Sequence, residues 1–197
     1  GEALMVTGVG QHQMWAAQYY RFKHPRMWCT SGGLGTMGYG LPTAMGVQAG
    51  NPGKLVINID GDGSFAMNSQ ELATCFEERL PVKTVIINNG GHGMVRQWQR
   101  IIYKERFCAI DLGSSPDFVK LAEAYGCTGI RATKPSEVVP ALEKMIATPG
   151  PVVLDVRVNK DECVFPMVPA GGANIDMILA PPSTEVRDRA AKSQTGF

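Results

Sequence analysis

The sequence predicts an α/β domain in three layers: a mostly parallel sheet with helices on both faces. Three observations carry this. Short apolar, β-branched runs alternate with stretches of helical character, the pattern of parallel strands joined by helical crossovers. Glycines cluster where several apolar runs end, and in a parallel sheet the strand ends are where ligands gather. The length of 197 residues suffices for one well-packed core of this kind.

The elements follow in order. "ALMVTGV" (3–9) reads as a strand and "QMWAAQYY" (13–20) opens a helix. "GGLGTMGYGLPTAMGVQAG" (32–50) is rich in glycine and small residues, which suggests a helix packed closely against a neighbour. "KLVINID" (54–60) is a buried strand. "NSQELATCFEERL" (68–80) is amphipathic, with Leu72, Cys75, Phe76 and Leu80 on one face. Asn68 followed by Glu71 has the spacing of a helix cap and capping box. "VKTVIIN" (82–88) is the next strand. "DFVKLAEAYG" (117–126) and "SEVVPALEKMIAT" (136–148) are helices, and Pro140 should bend or loosen the second. The turn "TPG" leads into the last strand, "PVVLDVRV" (151–158). Residues 1–180 form one domain on this reading, and 181–197, opening with two prolines, a polar tail.

Composition excludes some functions. The formal net charge is +1 with Lys and Arg scattered, so neither nucleic acid nor an anionic membrane is the expected partner. No apolar run approaches the roughly 20 residues that span a bilayer. No targeting signal is visible in this stretch; the expected location is cytoplasmic in a bacterium and organellar in a eukaryote. The 5 cysteines are odd in number and widely spaced, which points to reduced, mostly packed thiols. The 3 histidines have no ligand spacing with them, so zinc is not expected.

The chemistry concentrates in two places. "NIDGDGSFAMNSQELA" sets Asp62 just past a strand end, between glycines that allow close backbone approach to a ligand. The helix that follows would favour anionic oxygens. A turn, a helix and a strand then lead to Asn89, one crossover later, and so return the chain beside Asp62. A carboxylate, an amide oxygen and a backbone carbonyl make a partial shell for Mg²⁺, which completes its octahedron with phosphate oxygens and water. The pattern therefore points to a diphosphate cofactor held through a metal.

Gly-Asp-Gly followed at this distance by Asn-Asn resembles the fingerprint of thiamine diphosphate enzymes. Together with "GVGQHQMWAAQYY", "GGLGTMGYGLPTAMG", "GMVRQWQ" and "FPMVPAGG", it resembles the carboxy-terminal, cofactor-binding domain of acetohydroxyacid (acetolactate) synthase catalytic subunits, over about residues 4–180. The resemblance implies the thiamine diphosphate-binding fold and these roles. Gln11 and His12 contact the diphosphate. Gly35, Thr36 and Met37 hold the aminopyrimidine, with the Gly35 carbonyl accepting from its amine and Met37 wedged under the bent cofactor. Asp62, Asn89 and the Gly91 carbonyl ligate Mg²⁺. Gly63 and Ser64 offer backbone or hydroxyl donors to phosphate, and Gly90, Gly91, His92, Gly93 and Met94 wrap the diphosphate. Trp98 lines the substrate path and helps select the second ketoacid, whereas Arg96 reads as a solvated surface charge.

The implied reaction decarboxylates pyruvate and joins the two-carbon unit to pyruvate or 2-ketobutyrate, towards branched-chain amino acids. No catalytic residue is assigned within this chain. The family's activating glutamate lies in an amino-terminal domain of a neighbouring subunit and its FAD in a middle domain, and neither is matched here. The resemblance also implies a homodimer or larger assembly and a regulatory small subunit, and the chain alone should be inactive. Where the family reads Asn-Asn-Gln-His-Leu-Gly-Met, this chain reads "NNGGHGM", which shifts the histidine to position 92. Ala170 stands where plant members carry serine. Two alternatives stay open at this point: another thiamine-dependent 2-ketoacid decarboxylase or carboligase, and a non-catalytic nucleotide-binding module. Against a dinucleotide site, "GVGQHQ" lacks the third glycine of Gly-x-Gly-x-x-Gly and no acidic ribose ligand follows.

Overall fold

A computed structural model describes residues 3–180 apart from Ser114. The tail expected at 181–197 lies outside the described residues. A six-stranded sheet, parallel throughout, forms the middle layer. Its strands are β1 (Leu4–Thr7), β2 (Trp28–Thr30), β3 (Val56–Gly61), β4 (Lys83–Asn88), β5 (Thr128–Ala132) and β6 (Val152–Arg157), in the order β2-β1-β3-β4-β6-β5. The helices are α1 (Gln11–Tyr19), α2 (Gly40–Gly50), α3 (Asp62–Ala66), α4 (Leu72–Glu77), α5 (Gly93–Ile101), α6 (Phe118–Ala124) and α7 (Pro135–Ala147).

Both faces of the sheet are covered, which is why its central strands carry apolar side chains without alternation. One face packs Val6, Val56, Ile86 and Val153 against Leu41, Phe65, Leu72 and Phe118, with the Phe65 and Phe118 rings edge to face at 5.6 Å. The other packs Val85, Ile130, Leu154 and Val156 against Ala141 and Met145 of α7. Each large apolar side chain buried this way contributes roughly 1.5–3 kcal/mol. Lys83, buried at the start of β4, donates from Nζ to the Thr148 and Gly150 carbonyls at 2.5 and 2.6 Å and so ties down the end of α7.

The topology positions the site. From β1 the chain turns outward to β2, then crosses back to β3 on the other side of β1. The carboxyl ends of β1 and β3 therefore flank a topological switch point, where open α/β sheets bind ligands.

Some sequence expectations need correction. Asn68 caps no helix: its Nδ2 donates to the Gly38 carbonyl at 2.8 Å, and a 3₁₀ turn at Ser69–Glu71 precedes α4. The expected buried face includes Phe76, which is 51% exposed because α4 ends at Glu77 and leaves the ring over Gly126 at the surface. α7 runs through Pro140 without a break. The short strands β2 and β5 escape sequence reading; β5, "TGIRA", carries a glycine and an arginine that mask its period. The cysteines are free, with Cys75 and Cys127 buried. Burial pushes the Cys75 thiol up to about 12 and the Cys127 thiol to about 11, so both are inert packing groups. No helix among the described residues is long and apolar enough to cross a membrane.

Candidate functional site

Parallel register aligns the ends of β1, β3 and β4: Thr7 pairs with Ile59, and Gly61 with Ile87. The turns Gly8–Gly10 and Asn89–His92 lead from β1 into α1 and from β4 into α5, and Asp62 opens α3 directly after β3. These turns and Met37 wall a narrow cleft of about 70 Å³. That is well below the ~300–1,000 Å³ of a pocket enclosing a whole cofactor, so the cleft accommodates one end of a ligand.

Of the predicted residues, Gln11, His12, Met37, Asp62, Gly63, Ser64, Asn89, Gly91, His92, Gly93 and Met94 line the cleft. Gly35 and Thr36 lie exposed on the segment leading to Met37. Gly90 makes the turn behind Asn89 with φ +73°, a conformation that favours glycine. Trp98 sits outside the cleft, one turn along α5, in a neighbouring hollow with Gln99, Tyr103 and Arg106; Met94 and Val95 border both. Arg96 is not a solvated charge. Its Nε (3.1 Å) and NH2 (2.8 Å) both donate to Asp161 Oδ1, which pins α5 to the segment after β6, and its guanidinium lies 4.6 Å over the Phe107 ring.

Asp62 is 1% exposed and its Oδ2 has no hydrogen-bond partner. Burial raises its pKa; the amides of Asp62 and Gly63, then His92 and the Asn89 amide, pull it partly back. A cation at Oδ2 would relieve this cost. Asn89 Oδ1 accepts the Gly91 N–H at 3.1 Å and keeps a second lone pair, while Nδ2 reaches Gln11 Oε1 at 3.4 Å. Among the described residues no group of three or more His, Cys, Asp or Glu could hold a metal alone. One carboxylate with amide and carbonyl oxygens is instead the donor set of a Mg²⁺ that keeps water and phosphate oxygens. Asp62, Asn89 and Gly91 fit that ion.

Several side chains prove to be committed to the protein. The Gln11 amide donates to Gln97 Oε1 (2.9 Å) and the Glu162 carbonyl (3.0 Å), so it orients Asn89 and locks α1 to α5. Ser64 Oγ accepts from Val9 and Gly38 amides at 3.4 and 3.1 Å and bonds Asp60, which leaves its backbone to face a ligand. The imidazole of His92 lies against Gly63, beside Asp62.

Sequence reasoning missed two residues. Asp60, fully buried at the end of β3, lies 3.5 Å from His12 Nε2 and accepts the Gly61 N–H at 3.0 Å. Burial drives the His12 pKa down to about 4 and the Asp60 pKa up to about 7, so the pair is not a full ion pair near neutrality. Gln97 joins Gln11 to the Val164 backbone, accepting at 2.7 Å and donating at 2.9 Å. An aspartate closing the apolar run "LVINID", just before Gly61-Asp62-Gly63, is the available signal for the first; nothing local marks the second.

Residues 8–156 match the family described as thiamine pyrophosphate enzyme, C-terminal TPP binding domain. Acetolactate synthase 1, chloroplastic, of Oryza sativa is 53% identical over 186 residues, covering 91% of this chain and 29% of its own length. Acetolactate synthase large subunit IlvB1 of Mycobacterium tuberculosis is 53% identical over 184 residues, covering 91% and 30%. Acetolactate synthase 2, chloroplastic, of Nicotiana tabacum is 51% identical over 185 residues, covering 90% and 28%. The chain thus spans under a third of the length of these curated relatives. With the cleft at the switch point and its metal-type donors on the same turns, the chain belongs to the C-terminal, thiamine pyrophosphate-binding domain family of thiamine pyrophosphate enzymes.

Proposed function

We propose that this chain is the part of an acetolactate synthase that holds thiamine diphosphate through Mg²⁺. The reaction would decarboxylate pyruvate and condense the two-carbon unit with pyruvate or 2-ketobutyrate, in branched-chain amino acid biosynthesis. One observation carries the reading: Asp62, with a buried unpartnered oxygen, shares a cleft with Asn89 and Gly91 at the switch point. When bound, the cofactor supplies a nucleophilic carbon and an electron sink for decarboxylation.

The chain's own residues hold and orient. Asp62 Oδ2, Asn89 Oδ1 and the Gly91 carbonyl would take the metal, and the Gly90–Met94 turn with Gln11 and His12 would enclose the diphosphate. Gly35 and Met37 would face the aminopyrimidine. Trp98 would stand on the substrate side, in the hollow that Met94 and Val95 share with the cleft. A neutral His12 suits a wall that must not compete with the metal for phosphate charge. The activating glutamate, an FAD domain, a homodimer and a regulatory small subunit belong to the rest of the proposed assembly, so this chain alone should convert little or no pyruvate.

The test is calorimetric titration of thiamine diphosphate into the whole protein with and without Mg²⁺, with acetolactate formation from pyruvate assayed in parallel. Asn89→Ala should abolish Mg²⁺-dependent binding, and His92→Ala should change it by less than about threefold, since backbone atoms make the wrap. Tight NAD(H) binding, or Mg²⁺-independent cofactor binding, would refute the reading. Equal losses in both variants would assign His92 a direct role.

A further inference from the structure

Asp155 is fully buried on β6, an interior strand, where an apolar residue would pack at no electrostatic cost. Its carboxylate is held from both sides. Oδ2 accepts from Arg131 Nε at 3.1 Å and forms an ion pair with Arg157, whose NH2 lies 3.1 Å away. Arg131 is fixed in turn by Asp117, whose carboxylate caps α6 through the Val119 and Lys120 amides. Oδ1 accepts from Asn88 Nδ2 at 2.8 Å, across 67 residues of sequence. Asn88, 2% exposed, then accepts the Gly90 N–H on its own Oδ1 at 3.1 Å.

An asparagine amide can turn over and exchange its donor and acceptor ends. Beside a carboxylate it cannot, because a carboxylate only accepts. Asp155 therefore forces Asn88 Nδ2 towards β6 and Oδ1 towards Gly90. That oxygen fixes the turn in which Gly90 takes φ +73° and Asn89 is delivered to the cleft.

We propose that Asp155 is a positioning residue for the metal site: through Asn88 it sets the turn that presents Asn89 to Mg²⁺. The proposal rests on the reading of Asn89 as a metal ligand. Outer-shell partners of metal ligands typically change metal affinity by about 10–100-fold when removed.

The test measures, in the whole protein, the Mg²⁺ concentration that half-saturates thiamine diphosphate binding, with thermal midpoints recorded alongside. Asp155→Asn should raise it about 10–100-fold, with binding regained at high Mg²⁺. Asn88→Ala should do the same, and Asp155→Asn added to Asn88→Ala should bring no further change, because the two act in series. Independent effects that multiply in the double variant would overturn the proposal as a general loss of packing. Normal half-saturation in Asp155→Asn beside a loss in Asn89→Ala would overturn it while leaving the cofactor reading intact. If Asn89→Ala also binds normally, the metal-ligand reading falls and takes the proposal with it. Asn88→Ala keeps Asp155 on both arginines and serves alone if Asp155→Asn does not fold: normal half-saturation there overturns the proposal.

Discussion

Replacing Gly8 by alanine should be among the most damaging single-methyl additions to this fold. A Cβ at Gly8 would lie 1.8 Å from Asp60 Oδ1, 2.5 Å from Asp60 Cγ and 2.6 Å from Ser64 Oγ. Both neighbours are buried, and Asp60 sits on interior strand β3, so none can swing into solvent. Overpacking of this kind costs roughly 1–3 kcal/mol, and overlap with a pinned carboxylate places it at or above about 3 kcal/mol. At about 2–4 °C per kcal/mol for a chain of this size, the midpoint should fall by ~6–12 °C. Gly46→Ala is the matched control: it lies within α2, is exposed, and nothing stands within 4 Å of its added Cβ. Removing a helix glycine there should stabilise by up to about 1 kcal/mol. Urea unfolding reads both as midpoint shifts at constant slope. In the Asp60→Ala background the cost of Gly8→Ala should shrink by more than about 1 kcal/mol, because the closest clash is gone and only Ser64 Oγ, at 2.6 Å, remains. A Gly8→Ala midpoint within ~0.5 kcal/mol of the parent, or additivity with Asp60→Ala, would refute the packing described here.

Other outcomes follow from the same contacts. Lys83→Met should destabilise by roughly 1–3 kcal/mol in urea unfolding, since the Thr148 and Gly150 carbonyls at the end of α7 lose their shared donor. Asp161, which accepts from Arg100 and Arg96, has its pKa lowered chiefly by the Arg100 hydrogen bond. Its contribution is thus complete above the ordinary value of 3.8 and lost as pH falls below it through the folded-state value. Asp161→Asn should therefore cost at pH 7 only the small amount a surface pair contributes, and that difference from the parent should vanish as pH falls below 3.8, flattening the low-pH limb of the stability curve. The same variant should speed proteolysis after β6, because Arg96 and Arg100 both hold that segment through Asp161.

Much of the molecule was legible in the sequence because its information is local. β-Branched runs, strand-ending glycines and the spacing from Asp62 to Asn89 follow from period and crossover length, and these alone bring the two residues to one edge of the sheet. The sequence also implies that a metal bound here would have to borrow oxygens from its ligand, since one carboxylate and an amide cannot complete a shell.

What tertiary structure decided is which polar side chains are already spent. Gln11 and Ser64 look like ligand donors by type, yet one is bound to Gln97 and Glu162 and the other to Asp60 and two amides. Arg96 looked solvated until Asp161, 65 residues away, and the Phe107 ring just past the end of α5 closed on it. Asp155 in "PVVLDVRV" gives no hint of its partner, because Asn88 lies 67 residues away and meets it only when β4 and β6 pair. Strand order is a non-local outcome of packing both faces, and hydrogen-bond partners across the sheet are fixed by that order. The residue types that can do the chemistry are therefore written locally, whereas their orientation and availability exist only once the sheet is assembled.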